Sequence, residues 1–150
     1  NLTARYWLMY ASAIAGISFY QGMLHLTHVL EHAMSAINTK VTHGDGLGIL
    51  MPAIVQEIYP AVPEVVAELF APAIPGLKGE PSETAFVVEK LRAWCHSVGQ
   101  ATSMANYYSE ADIPALVKMT MDSSLSKVLL PLAPVKVDQA LVERIFRNSL

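Results

Sequence analysis

Charge is what this sequence has least of: Asp, Glu, Lys and Arg make up only 15% of its 150 residues, against a hydrophobic fraction of 53%. A chain so poor in charge needs a large interior, or surfaces that something beyond these residues covers. Its 13 acidic residues outnumber its 10 basic ones. There is then no basic footprint for a phosphate backbone, and nucleic acid is not an expected partner. The single cysteine, Cys95, excludes an internal disulfide and agrees with a reducing, cytoplasmic setting. It falls in an amphipathic helical pattern and reads as an inert core thiol. The amino terminus lacks the basic n-region and cleavage site of a signal peptide. No segment sustains the apolar–polar alternation of a half-buried strand, so no sheet is expected.

A phosphate-binding loop is also missing. The run His43-Gly44-Asp45-Gly46-Leu47-Gly48 has no Gly-x-Gly-x-x-Gly spacing, no Walker lysine and no preceding strand. Close approach of backbone to a ligand or another helix explains its glycines better. Asp45 is expected to cap the helix that follows.

What is present is helical pattern nearly throughout, as one all-α domain over residues 1–150. Thr3 is a candidate N-cap for a first helix running to about Tyr20, and Gly22 is a natural joint. A second helix follows to about Ile37, then a turn at Asn38-Thr39-Lys40. Pro52 places the next helix start near Ile49, or a kink there. Prolines 60, 63, 72, 75 and 81 punctuate short helices and turns, with one helix over Glu64–Phe70. Pro81-Ser82-Glu83 opens a longer helix whose Phe86, Leu91, Trp94 and Cys95 share a face and which ends at Gly99 as a C′ glycine. Ser109-Glu110-Ala111-Asp112 starts another, with Ile113, Leu116, Val117 and Met121 at helical spacing, and a last helix runs from about Val137 to Arg147.

Tyr6–Leu30 contains no Asp, Glu, Lys or Arg and is long enough to cross a bilayer. Its Ser12, Ser18, Gln21, Gly16 and Gly22, and the histidines at its end, favour instead a helix buried on all sides at the centre of the domain, with no membrane partner. Trp7, Trp94 and the seven methionines are expected in the core.

Four of the five histidines, His25, His28, His32 and His43, lie within one short apolar segment, and His96 stands apart as structural. On a helix, steps of three and four residues return to one face, so His25, His28 and His32 project together. Imidazole serves Zn, Fe, Ni and Cu alike, so the spacing indicates a metal without choosing it. Glu31, beside that face, is read as orienting a histidine or lying in solvent, with a ligand role open.

The string His28-Val29-Leu30-Glu31-His32-Ala33-Met34-Ser35-Ala36, then Thr42-His43-Gly44 and Leu50-Met51-Pro52-Ala53, resembles the signature of the iron-containing (group III) alcohol dehydrogenases. The resemblance covers nearly the whole chain. Ala4-Arg5 and Ala11 through Phe19 are similar to the helix before the signature, and Leu91 through Gly99 and Ser109 through Pro114 to its distal helices. Ala133-Pro134-Val135 through Ile145 resembles its closing segment.

The resemblance implies an all-helical C-terminal domain, with an α/β domain for the nicotinamide dinucleotide upstream. It implies one divalent metal between the two, Fe(II) or sometimes Zn(II), held by an Asp, a His four residues later, and two further histidines. His28 and His43 are then the last two metal ligands, and His32 is the catalytic residue beside substrate and nicotinamide. The Asp-x-x-x-His pair and the domain binding most of NAD or NADP are expected before Asn1, and His25 lies outside the pattern. The implied function is half of an oxidoreductase interconverting a small alcohol and an aldehyde or ketone, and the apolar composition suggests contacts beyond this chain, as in a homo-oligomer. A stand-alone helical metal-binding or interaction module is the other reading of the same histidines. The 150-residue chain alone is expected to oxidise no alcohol with NAD or NADP, and measurable turnover by it would contradict the reading as part of a larger enzyme.

Overall fold

Eight α-helices and four short 3-10 turns make up the regular structure of the computed structural model, which describes residues 1–150 and contains no strand. The helices are α1 (Leu2–Gln21), α2 (Leu26–Ile37), α3 (His43–Ile58), α4 (Pro63–Phe70), α5 (Thr84–Ser97), α6 (Ile113–Asp122), α7 (Ser124–Leu129) and α8 (Gln139–Asn148). The all-α expectation holds.

The apolar stripe of α2 organises the larger core. Leu26, Val29, Leu30, Ala33 and Met34 follow the three- and four-residue steps of one helix face, and all are buried. They pack with Ile49, Leu50, Ala53 and Ile54 of α3, Ile113, Leu116 and Val117 of α6, and Leu141, Val142, Ile145 and Phe146 of α8. A second, smaller core gathers Val55 and Tyr59 with Val66, Ile74, Val87, Leu91 and Cys95. Helix α3 therefore presents its first half to one core and its end to the other. On the surface, Arg144 of α8 holds Glu57 of α3 in a two-pronged pair at 2.9 and 2.8 Å.

Helix ends mostly follow local chemistry. Pro63 opens α4 in its first turn, where a missing N–H is no loss. Gly99, at φ +80, terminates α5: the Gln100 N–H donates to Cys95 O at 2.9 Å and the Gly99 N–H to His96 O at 3.1 Å. Asp138 caps α8 through the Leu141 N–H. At the amino terminus the cap is Asn1 rather than Thr3, its carboxamide oxygen accepting from the Thr3 and Ala4 N–H groups.

Four expectations need correction. Helix α3 begins at His43, well before Ile49, because Thr42 caps it, its hydroxyl accepting from the Asp45 N–H. Asp45 lies in the first turn instead of at the cap, and Pro52 sits inside the helix, removing the N–H that would serve the Gly48 carbonyl. The inward face of α5 is Val87, Leu91 and Cys95, while Phe86 and Trp94 are exposed. The methionines divide: Met34 and Met104 are fully buried, whereas Met9, Met23 and Met119 are exposed.

The largest departure is α1, which buries none of its residues. Trp7 is 59% exposed, and Leu8, Met9, Ile17 and Tyr20 are also on the surface. A helix apolar on all sides needs neighbours on all sides, and the remaining helices spend their apolar faces on one another. No helix is long and apolar enough to cross a membrane.

Two hydrogen bonds link the end of α2 to the segment before α6, one from the Asn38 carboxamide to the Tyr107 carbonyl and one that is buried. The Tyr108 hydroxyl donates to the Met34 carbonyl at 2.6 Å, and burial, then the Asp112 and Glu31 charges, push its pKa up to about 12. Tyr108→Phe removes this bond while keeping the ring, and is expected to lower unfolding free energy by about 1 kcal/mol. Denaturant titration of the two proteins checks this.

Candidate metal centre

The turn between α2 and α3 folds the histidine segment back on itself. His28 and His32 are one helical step apart on α2, and His43 is the first residue of α3, where the Thr42 cap fixes the start of the helix. Their rings converge: centroids lie 5.2 Å apart for His28 and His43, 5.6 Å for His32 and His43, and 6.2 Å for His28 and His32. His25 does not join them as part of a continuous face. It caps α2 in a non-helical conformation, and its Nδ1 is buried without a hydrogen-bond partner in the chain. It instead lines, with Met23, Leu24, Thr27, His28, Leu47, Gly48 and Met51, an open cleft of about 410 Å³.

Beneath the rings lies Glu31, with 0% exposure. Its Oε1 accepts from the Ser35 hydroxyl and its Oε2 meets His43 Nδ1, while His32 Nε2 is 4.0 Å away. Nδ1 of His43 thus faces a carboxylate oxygen, which leaves Nε2 as the ring nitrogen open to another partner. Sequence spacing left Glu31 between solvent and an orienting role, and the structure puts it inside.

Glycine makes this arrangement possible. A Cβ on Gly46 would stand 2.7 Å from Glu31 Cγ and 3.1 Å from Oε1, so α3 passes Glu31 only because that position has no side chain. Gly48 lies equally close to the Gln100 carboxamide. The reading of these glycines as points of close approach holds for Gly46 and Gly48 but not for Gly44, where a Cβ would meet nothing within 4 Å. His96 is exposed and its Nε2 lies 3.0 Å from the Thr102 hydroxyl, apart from the cluster.

Electrostatics favour a neutral ring at His28. Burial lowers the pKa of His28, the neighbouring His43 and His32 lower it further, and Glu31 opposes them only in part. Burial alone lowers that of His25. Imidazoles from two helices, over a buried carboxylate, form a donor set that fits a divalent first-row metal. Atoms of Glu31, His32 and His43 also lie within 4.8 Å of one another, a second grouping able to meet one ion.

Residues 1–150 match in full the family model described as Fe-containing alcohol dehydrogenase family, C-terminal. The chain belongs to that family. This C-terminal dehydrogenase domain is 45% identical over 150 residues to the long-chain primary alcohol dehydrogenase AdhA of Thermoanaerobacter ethanolicus, covering 99% of the chain and 38% of the relative. It superimposes on 1,3-propanediol oxidoreductase with a TM-score of 0.82 at 23% identity, over all of this chain and 39% of that one. On the NADH-dependent butanol dehydrogenase A of Thermotoga maritima the TM-score is 0.67 at 26% identity, over 82% of this chain and 32% of that one. The domain thus spans little more than a third of the curated relative it matches.

The position of His43 depends on the cap before it. Thr42→Ala deletes the hydroxyl that accepts from the Asp45 N–H and bonds the Asp45 carboxylate. It is expected to cost about 1 kcal/mol of stability, with Thr42→Ser close to the parent, read from denaturation midpoints.

Proposed function

We propose that this domain supplies one wall of the active site of an NAD(P)-dependent oxidoreductase that interconverts a small alcohol and an aldehyde or ketone. The observation that carries the proposal is the convergence of three imidazoles, from α2 and the start of α3, above the buried Glu31. Membership of the iron-type dehydrogenase family, and relatives named as alcohol and butanol dehydrogenases, support the reaction class.

In this reading His28 and His43 hold the metal, Fe(II) or else Zn(II), together with ligands from the rest of the protein. The bound ion supplies Lewis acidity toward the oxygen of the alcohol or carbonyl group. His43 offers Nε2 because Glu31 engages its Nδ1. His28 is kept neutral by its surroundings, so its lone pair is free. His32, half exposed at the rim, stands where it can donate to or accept from a substrate hydroxyl. Leu47 and Met51 line the adjoining open cleft and give that side of the site an apolar surface.

The nicotinamide cofactor carries the hydride and is held mainly by a domain upstream of Asn1. That upstream part, or a second copy of the protein in a homo-oligomer, covers the apolar surface of α1. The full-length enzyme works in the reducing cytoplasm.

The two groupings of donor atoms make different forecasts. With His28 and His43 as ligands, replacing either by Ala in the full-length enzyme abolishes metal retention and turnover together. His32→Ala keeps the metal and lowers turnover by roughly 10²- to 10⁴-fold, the usual contribution of a positioned acid or base. Metal analysis beside steady-state rates separates the cases. Loss of metal from His32→Ala, with retention in His28→Ala, would assign the ion to Glu31, His32 and His43 instead.

A further inference from the structure

A fully buried carboxylate with no Lys or Arg beside it is an unusual thing for a fold to keep. Glu31 is 0% exposed, and the only side chains near enough to bond or pair with it are Ser35, His43 and His32. Buried charges persist where an opposite charge and hydrogen bonds balance them. Its hydrogen-bond partners here are one hydroxyl and one imidazole. An imidazole that holds a cation through its other nitrogen is polarised, and its N–H becomes a stronger, partly positive donor.

We propose that Glu31 is the positioning residue of this site: its carboxylate, fixed in the α2–α3 contact, holds His43 as the Nδ1–H tautomer and turns Nε2 toward His28 and His32. The inference deepens the metal reading given above and rests on it.

Three features of the chain serve this one contact. Ser35, one helical turn after Glu31, donates its hydroxyl to Oε1 and leaves Oε2 for the imidazole. Gly46, itself buried, clears the space that the Glu31 side chain fills, with a Cβ there coming within 2.7 Å of Cγ. The Thr42 cap sets His43 at the first position of α3, so the ring reaches back across the turn. With Oε1 on the Ser35 hydroxyl and Oε2 on the imidazole, Glu31 faces the ring it orients. It acts through His43 and touches neither substrate nor metal.

The test uses the full-length enzyme, stripped of metal and titrated with Zn(II) against a chelator. His43 is followed in parallel by ¹⁵N spectra of its ring. Glu31→Ala is expected to weaken Zn(II) binding by roughly 10- to 100-fold, the range found when such orienting partners are removed. In the same variant His43 should lose its fixed Nδ1–H form. Glu31→Gln, of the same shape and still able to accept from Nδ1–H, should retain the tautomer and lose less affinity, which guards against a folding defect. Gly46→Ala, pressing on the carboxylate from the other helix, should weaken binding in the same direction.

Unchanged Zn(II) affinity and an unchanged His43 tautomer in Glu31→Ala would overturn the proposal and leave Glu31 as packing alone. Loss as complete as in His43→Ala, in the Gln variant as well, would overturn it in favour of a direct ligand. The metal reading fails separately: the parent itself would then bind Zn(II) no more tightly than His28→Ala and His43→Ala do.

Discussion

Helices α2 and α3 can carry one site only because they approach closely where Gly46 passes the side chain of Glu31. That contact buries a carboxylate, the carboxylate engages His43, and His43 is thereby drawn within 5.2 Å of His28 and 5.6 Å of His32. The apolar stripe from Leu26 to Met34 supplies the driving force for the helix pair, since burying such side chains is worth about 1.5–3 kcal/mol each. The polar contact sets register instead. A slip of one residue would put a side chain where Gly46 now lies and leave Glu31 buried without partners.

Much of this was legible in the residues, for reasons that differ by element. The three- and four-residue steps of α2 carry both its buried stripe and the pairing of His28 with His32, so periodicity alone finds them. His43 needed more, because its nearness to His28 depends on a turn that periodicity does not describe; the resemblance to the dehydrogenase signature supplied it. Glu31 was hardest. One sequence position cannot say whether a glutamate between two histidines faces water or a helix that begins twelve residues later. The start of α3 was misplaced because glycine and proline lower helix propensity, and tertiary approach at Gly46 and Gly48 overrides propensity. For α1 the pattern was read correctly as apolar on all sides, but the partners that pattern calls for are not among these residues.

The domain is therefore well packed around its histidines and open elsewhere. Its two cores join through α3, so the end of that helix that bears His43 is backed by Ile49 and Leu50 and its far end by Val55 and Tyr59. The cleft beside His28 is bounded by Met23, Leu47 and Met51, side chains that accept a range of apolar shapes. The domain, which spans 38% of its curated relative, brings three imidazoles together from α2 and the start of α3.

The central claim is that His28 and His43 bind the metal while Glu31 stands behind His43. A crystal structure of the full-length enzyme with its native metal, phased on anomalous scattering from that ion, tests it most directly. The account requires an anomalous peak at about 2.1 Å from a ring nitrogen of His28 and from Nε2 of His43, typical of imidazole coordination, with the Glu31 carboxylate still on Nδ1. A peak bonded to the Glu31 carboxylate and to His32, with His28 left free, would contradict it.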